Sequence, residues 1–121
     1  MIVGNTISGN GADLFDTATP GLTGINVNSG HGGTPITGTV MSQNVIKGED
    51  GDAVINTPAP ASAELHLNNL LGKQTGIHVS GGATVDATEN WWGCSGGPGA
   101  NGCAGVSGAG VLSTPWLTKP F

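Results

Sequence analysis

Apolar residues along this chain fall in short alternating runs cut off by glycine, proline and asparagine, which predicts brief β-strands joined by turns. The runs repeat. Thr23-Gly24-Ile25-Asn26-Val27 matches Thr75-Gly76-Ile77-His78-Val79 except where His78 replaces Asn26. Four asparagines, in Asn5-Thr6-Ile7, Asn44-Val45-Ile46, Asn69-Leu70-Leu71 and Asn90-Trp91-Trp92, each precede a large apolar residue by two positions, at unequal intervals. Constant strands with variable loops give such a pattern, and a repeat of this kind predicts a solenoid.

Three strands are expected in each unit. The first holds the Asn-x-apolar triplet, the second covers residues 25–27, 53–55 or 77–79, and the third 39–42, 64–67 or 84–87. Alternation sends Ile7, Ile46, Leu71 and Trp92 inward, with Ile25, Ala53 and Ile77, and Val27, Ile55 and Val79. It does the same for Val40, Leu65 and Val85, and for Ser42, Leu67 and Ala87. These columns fit an all-β, right-handed, single-stranded parallel β-helix of about three rungs, in which like residues stack. Asn5, Asn44, Asn69 and Asn90 would then form a ladder at one corner, each amide bonding the rung above. As ordinary turn formers the asparagines would be explained singly, but not by their shared offset. Extra length enters the loops at 9–24, 48–52 and 73–76, and at 28–35 and 56–62.

Composition agrees. With 23 glycines and 7 prolines among 121 residues, 9% charged and 4% aromatic, a helical domain is disfavoured, and the regular Ile, Val and Leu argue against a linker. A net charge of −5, with only Lys47, Lys73 and Lys119 as cations, leaves no basic stripe for nucleic acid. No apolar run is long enough to span a bilayer, and the N-terminus does not read as a signal peptide. An export signal, if the parent protein is exported, would lie upstream.

The stretch Val85-Asp86-Ala87-Thr88-Glu89-Asn90-Trp91-Trp92-Gly93-Cys94, then Ser95-Gly96-Gly97-Pro98 and a closing Thr114-Pro115-Trp116-Leu117, resembles the closing segment of right-handed parallel β-helix repeat proteins of the pectate-lyase-like superfamily. The resemblance covers residues 83–121 best. It implies a last rung and cap, giving residues 1–92 as rungs and 93–121 as a cap continuous with them. It says little about activity, because that superfamily spans lyases, hydrolases, epimerases and adhesins. Trp91, Trp92 and Trp116 are expected to cover the apolar end of the coil, stacking on sugar being the alternative. Cys94 and Cys103 suit a disulfide better than zinc, since no second close ligand pair accompanies them, and a disulfide implies an oxidising, secreted or cell-surface location.

Chemistry is sought on the outward side of the third strand. Its columns read Thr39, Glu64, Thr84; Met41, His66, Asp86; and Gln43, Asn68, Thr88. His66 and Asp86 are expected as direct neighbours with Glu64 close by, a trio suited to acid–base catalysis or to a divalent metal, with a solvated ion pair as the favoured reading. Asn68, Thr84 and Thr88 are the accompanying ligand-binding candidates. His78 is expected to be exposed in the second-strand column with Asn26 and Val54, and His31 to lie in a loop. No cofactor or dedicated metal site is expected. Calcium is also weighed at the loop acids Asp13, Asp16, Glu49, Asp50 and Asp52, which lack a calcium-loop motif. No nucleophile elbow or phosphate loop is present.

The leading expectation is therefore a structural or binding module, the C-terminal part of a secreted or surface β-helix that contacts carbohydrate. The rival is a hydrolase or lyase acting on a polysaccharide or anionic ester. The uncapped N-terminal end is expected to meet a second copy or upstream rungs.

Overall fold

The structure is a computed structural model that describes residues 1–8, 23–30, 33–47, 51–72 and 74–121. Its strands are β1 (Ile2–Val3), β2 (Thr6–Ser8), β3 (Thr23–Asn28), β4 (Thr39–Ser42), β5 (Val45–Lys47), β6 (Gly51–Asn56), β7 (Ser62–His66), β8 (Asn69–Leu71), β9 (Thr75–Ser80), β10 (Thr84–Asp86), β11 (Gly105–Ser107) and β12 (Val111–Leu112). No helix occurs among the described residues. Every strand pairing is parallel. Sheet A runs β1-β4-β7-β10-β12, sheet B β2-β5-β8 and sheet C β3-β6-β9-β11. The chain visits A, B and C in turn, making a β-solenoid of about three turns followed by shorter closing strands.

The corner from A to B sets the geometry. Gly4, Gln43, Leu67 and Glu89 occupy it with φ of 70, 58, 59 and 60°. Each bends the chain through the left-handed region, and an asparagine follows each. Asn68, not Asn69, is the third of these. Its backbone N and Nδ2 donate to Asn90 Oδ1, both at 2.9 Å, and its Oδ1 accepts from Asn44 N at 3.1 Å and Asn44 Nδ2 at 3.0 Å. Asn44 Oδ1 accepts from Asn5 in the same way. The ladder intervals are thus 39, 24 and 22 residues. Asn44, Asn68 and Asn90 are fully buried, so these bonds are what make their burial tolerable.

That one-residue difference carries two further corrections. In sheet B the inward column is Ile46 over Leu70, with Trp92 next, while Leu71 is exposed beside Lys47. In sheet A the residue three before each ladder asparagine points inward, so Met41, 1% exposed, lies over Leu65, and Val40 is on the outer side over Glu64. Ser42 pairs with His66 on that outer side, and Leu67 is the half-buried corner residue. Sheet C follows the sequence pattern: Ile25, Ala53 and Ile77 stack, as do Val27, Ile55 and Val79. Truncating a side chain as enclosed as Ile46, Leu65 or Leu70 costs about 2–5 kcal/mol.

The two ends differ. After Trp92 the chain closes a loop with the Cys94–Cys103 disulfide, Cα–Cα 5.2 Å, and Ala104 N rejoins the coil on Trp92 O at 2.8 Å. Trp116 lies across Gly97 so closely that a Cβ there would meet its ring at 2.4 Å, and its Nε1 donates to Ser95 O at 3.1 Å. Residues 93–121 add β11 to sheet C and β12 to sheet A. At the other end β1, β2 and β3 are terminal strands of their sheets, with Ile2, Ile7 and Val27 only half buried.

Candidate functional site

Parallel pairing and alternation place the candidate trio on the outer side of sheet A. The register sets Asp86 beside Glu64, two carboxylates on adjacent strands, rather than beside His66. His66 is nonetheless within reach diagonally, its Nε2 3.9 Å from Asp86 Oδ2. The sequence alignment missed this because it set residue 86 over residue 66, an offset of 20, where the ladder from Asn68 to Asn90 imposes 22. Counting from Asn68 puts Thr88 in the position next to His66.

Thr88 organises the group. Its carbonyl oxygen, which can only accept, lies 2.9 Å from His66 Nδ1, so that nitrogen carries the proton and Nε2 is the basic atom of the neutral ring. The Thr88 hydroxyl and backbone N–H both donate to Asp86 Oδ1, at 2.9 and 3.2 Å. The backbone bond, then the hydroxyl bond, hold the Asp86 carboxyl below its ordinary value of 3.8, against a small opposing effect of burial and with a minor contribution from His66. The arrangement orients an imidazole and fixes a carboxylate, but it stands in the open, with side-chain exposures of 29% for His66 and 48% for Asp86. Glu64 and Thr84 are exposed, and Thr84 pairs with Ser62 rather than Glu64. Asn68 is not on this surface at all. It is 1% exposed and engaged in the ladder, because the corner residue Leu67 turns the chain before it.

The other candidates separate from this group. His78 shares its outward column with Asn26 and Val54, as the sequence pattern suggests, and its Nδ1 is 3.0 Å from Ser107 Oγ. Val54, however, is buried. Asp52 is fully buried, its Oδ2 accepting from Gly72 N at 2.8 Å, so it is no surface calcium ligand. His31, Asp13, Asp16, Glu49 and Asp50 lie outside the described residues. Among the described residues no three His, Cys, Asp or Glu side chains are grouped to hold a metal ion. Trp92 is fully enclosed, while Trp91 and Trp116 are both half buried, with the Trp116 Nε1 engaged by Ser95 O.

Two features escaped the sequence reading. One is a shallow cleft of about 230 Å³ lined by Ser29, Gly30, Gly33, Asn56, Pro58 and Gly81, where the loops after β3, β6 and β9 meet. Behind the lining residue Ser29 stands Thr57, whose hydroxyl is 2.6 Å from Ser29 Oγ and accepts from Ile36 N at 2.8 Å. The glycines of these loops were its only advance signal. The other is Asn69, whose amide donates to Phe121 O at 3.3 Å and accepts from Phe121 N at 2.8 Å, tying the C-terminal residue to sheet B.

No helix among the described residues is long and apolar enough to cross a membrane. Comparison with protein-family models, with curated proteins and with solved structures finds no match.

Proposed function

We propose that this chain is a structural and binding module, the C-terminal part of an extracytoplasmic right-handed β-helix of pectate-lyase-like kind, whose outer sheet A surface contacts carbohydrate. The observation that carries the reading is the open setting of Glu64, His66, Asp86 and Thr88. They form a ladder of donors and acceptors at an exposed sheet face, and the cleft where the loops after β3, β6 and β9 meet is lined by none of them. An exposed polar surface suits hydroxyl-rich ligands held by many weak hydrogen bonds, whereas catalysis needs groups converging on an enclosed reacting atom. The Cys94–Cys103 bond supports an oxidising compartment, and the Val85 to Leu117 motif supports the family resemblance.

One observation favours the rival hydrolase or lyase: the Thr88 carbonyl holds His66 in a single tautomer with Nε2 facing Asp86. A single experiment separates the two. The chain and its His66→Ala and Glu64→Gln variants are presented with neutral and acidic polysaccharides, and both retention and product release are measured. The module reading expects retention without turnover, weakened about tenfold, or about 1.4 kcal/mol, by either substitution. Turnover abolished by His66→Ala would replace it with the enzyme reading, and absence of both retention and turnover would remove carbohydrate as the ligand.

A further inference from the structure

The asparagine ladder has a direction. Asn90 Oδ1 accepts from Asn68 N and Nδ2, Asn68 Oδ1 from Asn44 N and Nδ2, and Asn44 Oδ1 from Asn5 N at 3.0 Å and Nδ2 at 3.2 Å. Each side-chain oxygen thus receives two N–H groups from the turn before it. Among the described residues nothing donates to Asn5 Oδ1. The backbone repeats the message. Val45 N donates to Asn5 O, Asn69 N to Asn44 O and Trp91 N to Asn68 O, at 2.8 to 2.9 Å, which leaves Thr6 N as the donor for the corner carbonyl of a preceding turn.

We infer that the β1–β2–β3 end receives a further turn of the same coil whose corner residue is an asparagine, its backbone N–H and Nδ2–H both donating to Asn5 Oδ1. The inference deepens the reading of the chain as the C-terminal part of a longer solenoid and rests on it. It continues an interface already made three times within the chain, and it would cover Ile2 and Ile7, whose counterparts Met41 and Ile46 are each 1% exposed.

A second copy does not fit the same end. Stacked head to tail, it would offer its C-terminal turn, where Glu89 N to Pro115 O and Leu117 N to Asn90 O place Trp116 at the corner. The side-chain N–H of Trp116 is already given to Ser95 O. Stacked end to end about a two-fold axis, two copies would set Asn5 Oδ1 against its own equivalent, while the Asn5 Nδ2 hydrogens are engaged by Val3 O and Asn44 Oδ1. Acceptor would meet acceptor.

The register specifies the test. Ile2 pairs with Met41, so Met1 falls opposite Val40, in the column of Glu64 and Asp86. A copy of residues 61–85 joined directly before Met1 therefore enters in phase, with its asparagine (the copy of Asn68) 22 residues ahead of Asn5, the interval between Asn68 and Asn90. The extended protein is compared with one carrying Asn→Ala at that copied asparagine and with the unextended chain. The readouts are amide exchange at Thr6 and melting temperature. The expected result is exchange at Thr6 slowed about tenfold or more and a raised melting temperature, with most of both lost in the alanine version. Equal protection by the asparagine and alanine versions would overturn the inference while leaving the longer-solenoid reading intact. No protection from either would remove that reading as well. Concentration-dependent dimerisation of the unextended chain that protects Thr6 would overturn the inference by showing a second copy at this end.

Discussion

Replacing Asn68 with alanine is the sharpest probe of what holds the coil in register. The side chain makes five hydrogen bonds, accepting from Asn44 N and Nδ2 and donating to Met41 O, His66 O and Asn90 Oδ1, at 2.9 to 3.2 Å. It is 1% exposed, and its partners Asn44 and Asn90 are fully buried, so water has poor access to the groups left behind. Asn90 Oδ1 keeps the Asn68 backbone N–H, but the two Asn44 donors lose their acceptor. At about 1–3 kcal/mol for each buried group left unsatisfied, the two together should cost about 2–6 kcal/mol. Neighbouring Asn69→Ala removes only the two bonds to Phe121 and should cost about 1 kcal/mol. Urea unfolding with the disulfide intact reads both. With a slope of about 2 kcal/mol per molar urea, the Asn68→Ala midpoint should fall by about 1–3 M. Equal losses at the two positions would refute the argument that Asn68, rather than Asn69, is the ladder residue.

The phase of sheet A yields a second comparison: Met41→Ala should destabilise by about 2–5 kcal/mol and Val40→Ala by less than about 1, and the reverse order in thermal or urea unfolding would reinstate Val40 as the inward residue. Reducing the Cys94–Cys103 bond, which spans a sequence separation of 9, should cost about 2.7 kcal/mol through the freed loop, measured as a lower urea midpoint in the presence of reductant; an unchanged midpoint would mean that the closing segment is held without it. Because the Asp86 carboxyl is held below its ordinary value of 3.8 by Thr88, its contribution is fully present above that value and is lost as pH falls through the lower folded value. The effect is small at so exposed a site, so it is best followed by NMR titration of Asp86, where Thr88→Val, which keeps the backbone bond, should move the midpoint upward in part; no movement would disconnect the threonine hydroxyl from the carboxylate.

Much of the architecture could be read from the sequence because the repeat wrote it several times. The stacking of Ile25, Ala53 and Ile77 follows from a near-identical pair of segments, in which a slip of one residue would put polar side chains inside. The third unit was ambiguous for the opposite reason. Asn68-Asn69 and Leu70-Leu71 are doublets, so two alignments one residue apart are both chemically sensible, and only the three-dimensional ladder separates them. The error then spread to Val40, Met41 and the neighbours of His66. The Thr88 contacts were hidden because a backbone carbonyl leaves no mark in sequence, and the cleft because it is formed where loops from three turns meet.

The passage from sheet A to sheet B has constant length, while the ladder intervals of 39, 24 and 22 residues show that the rest of each turn does not. Every circuit is therefore re-zeroed at its left-handed corner, so miscounting in one loop is not inherited by the next circuit. Residues added between β5 and β6 should leave the strands that follow on their own faces. One residue added between Met41 and Asn44 should instead turn that strand inside out.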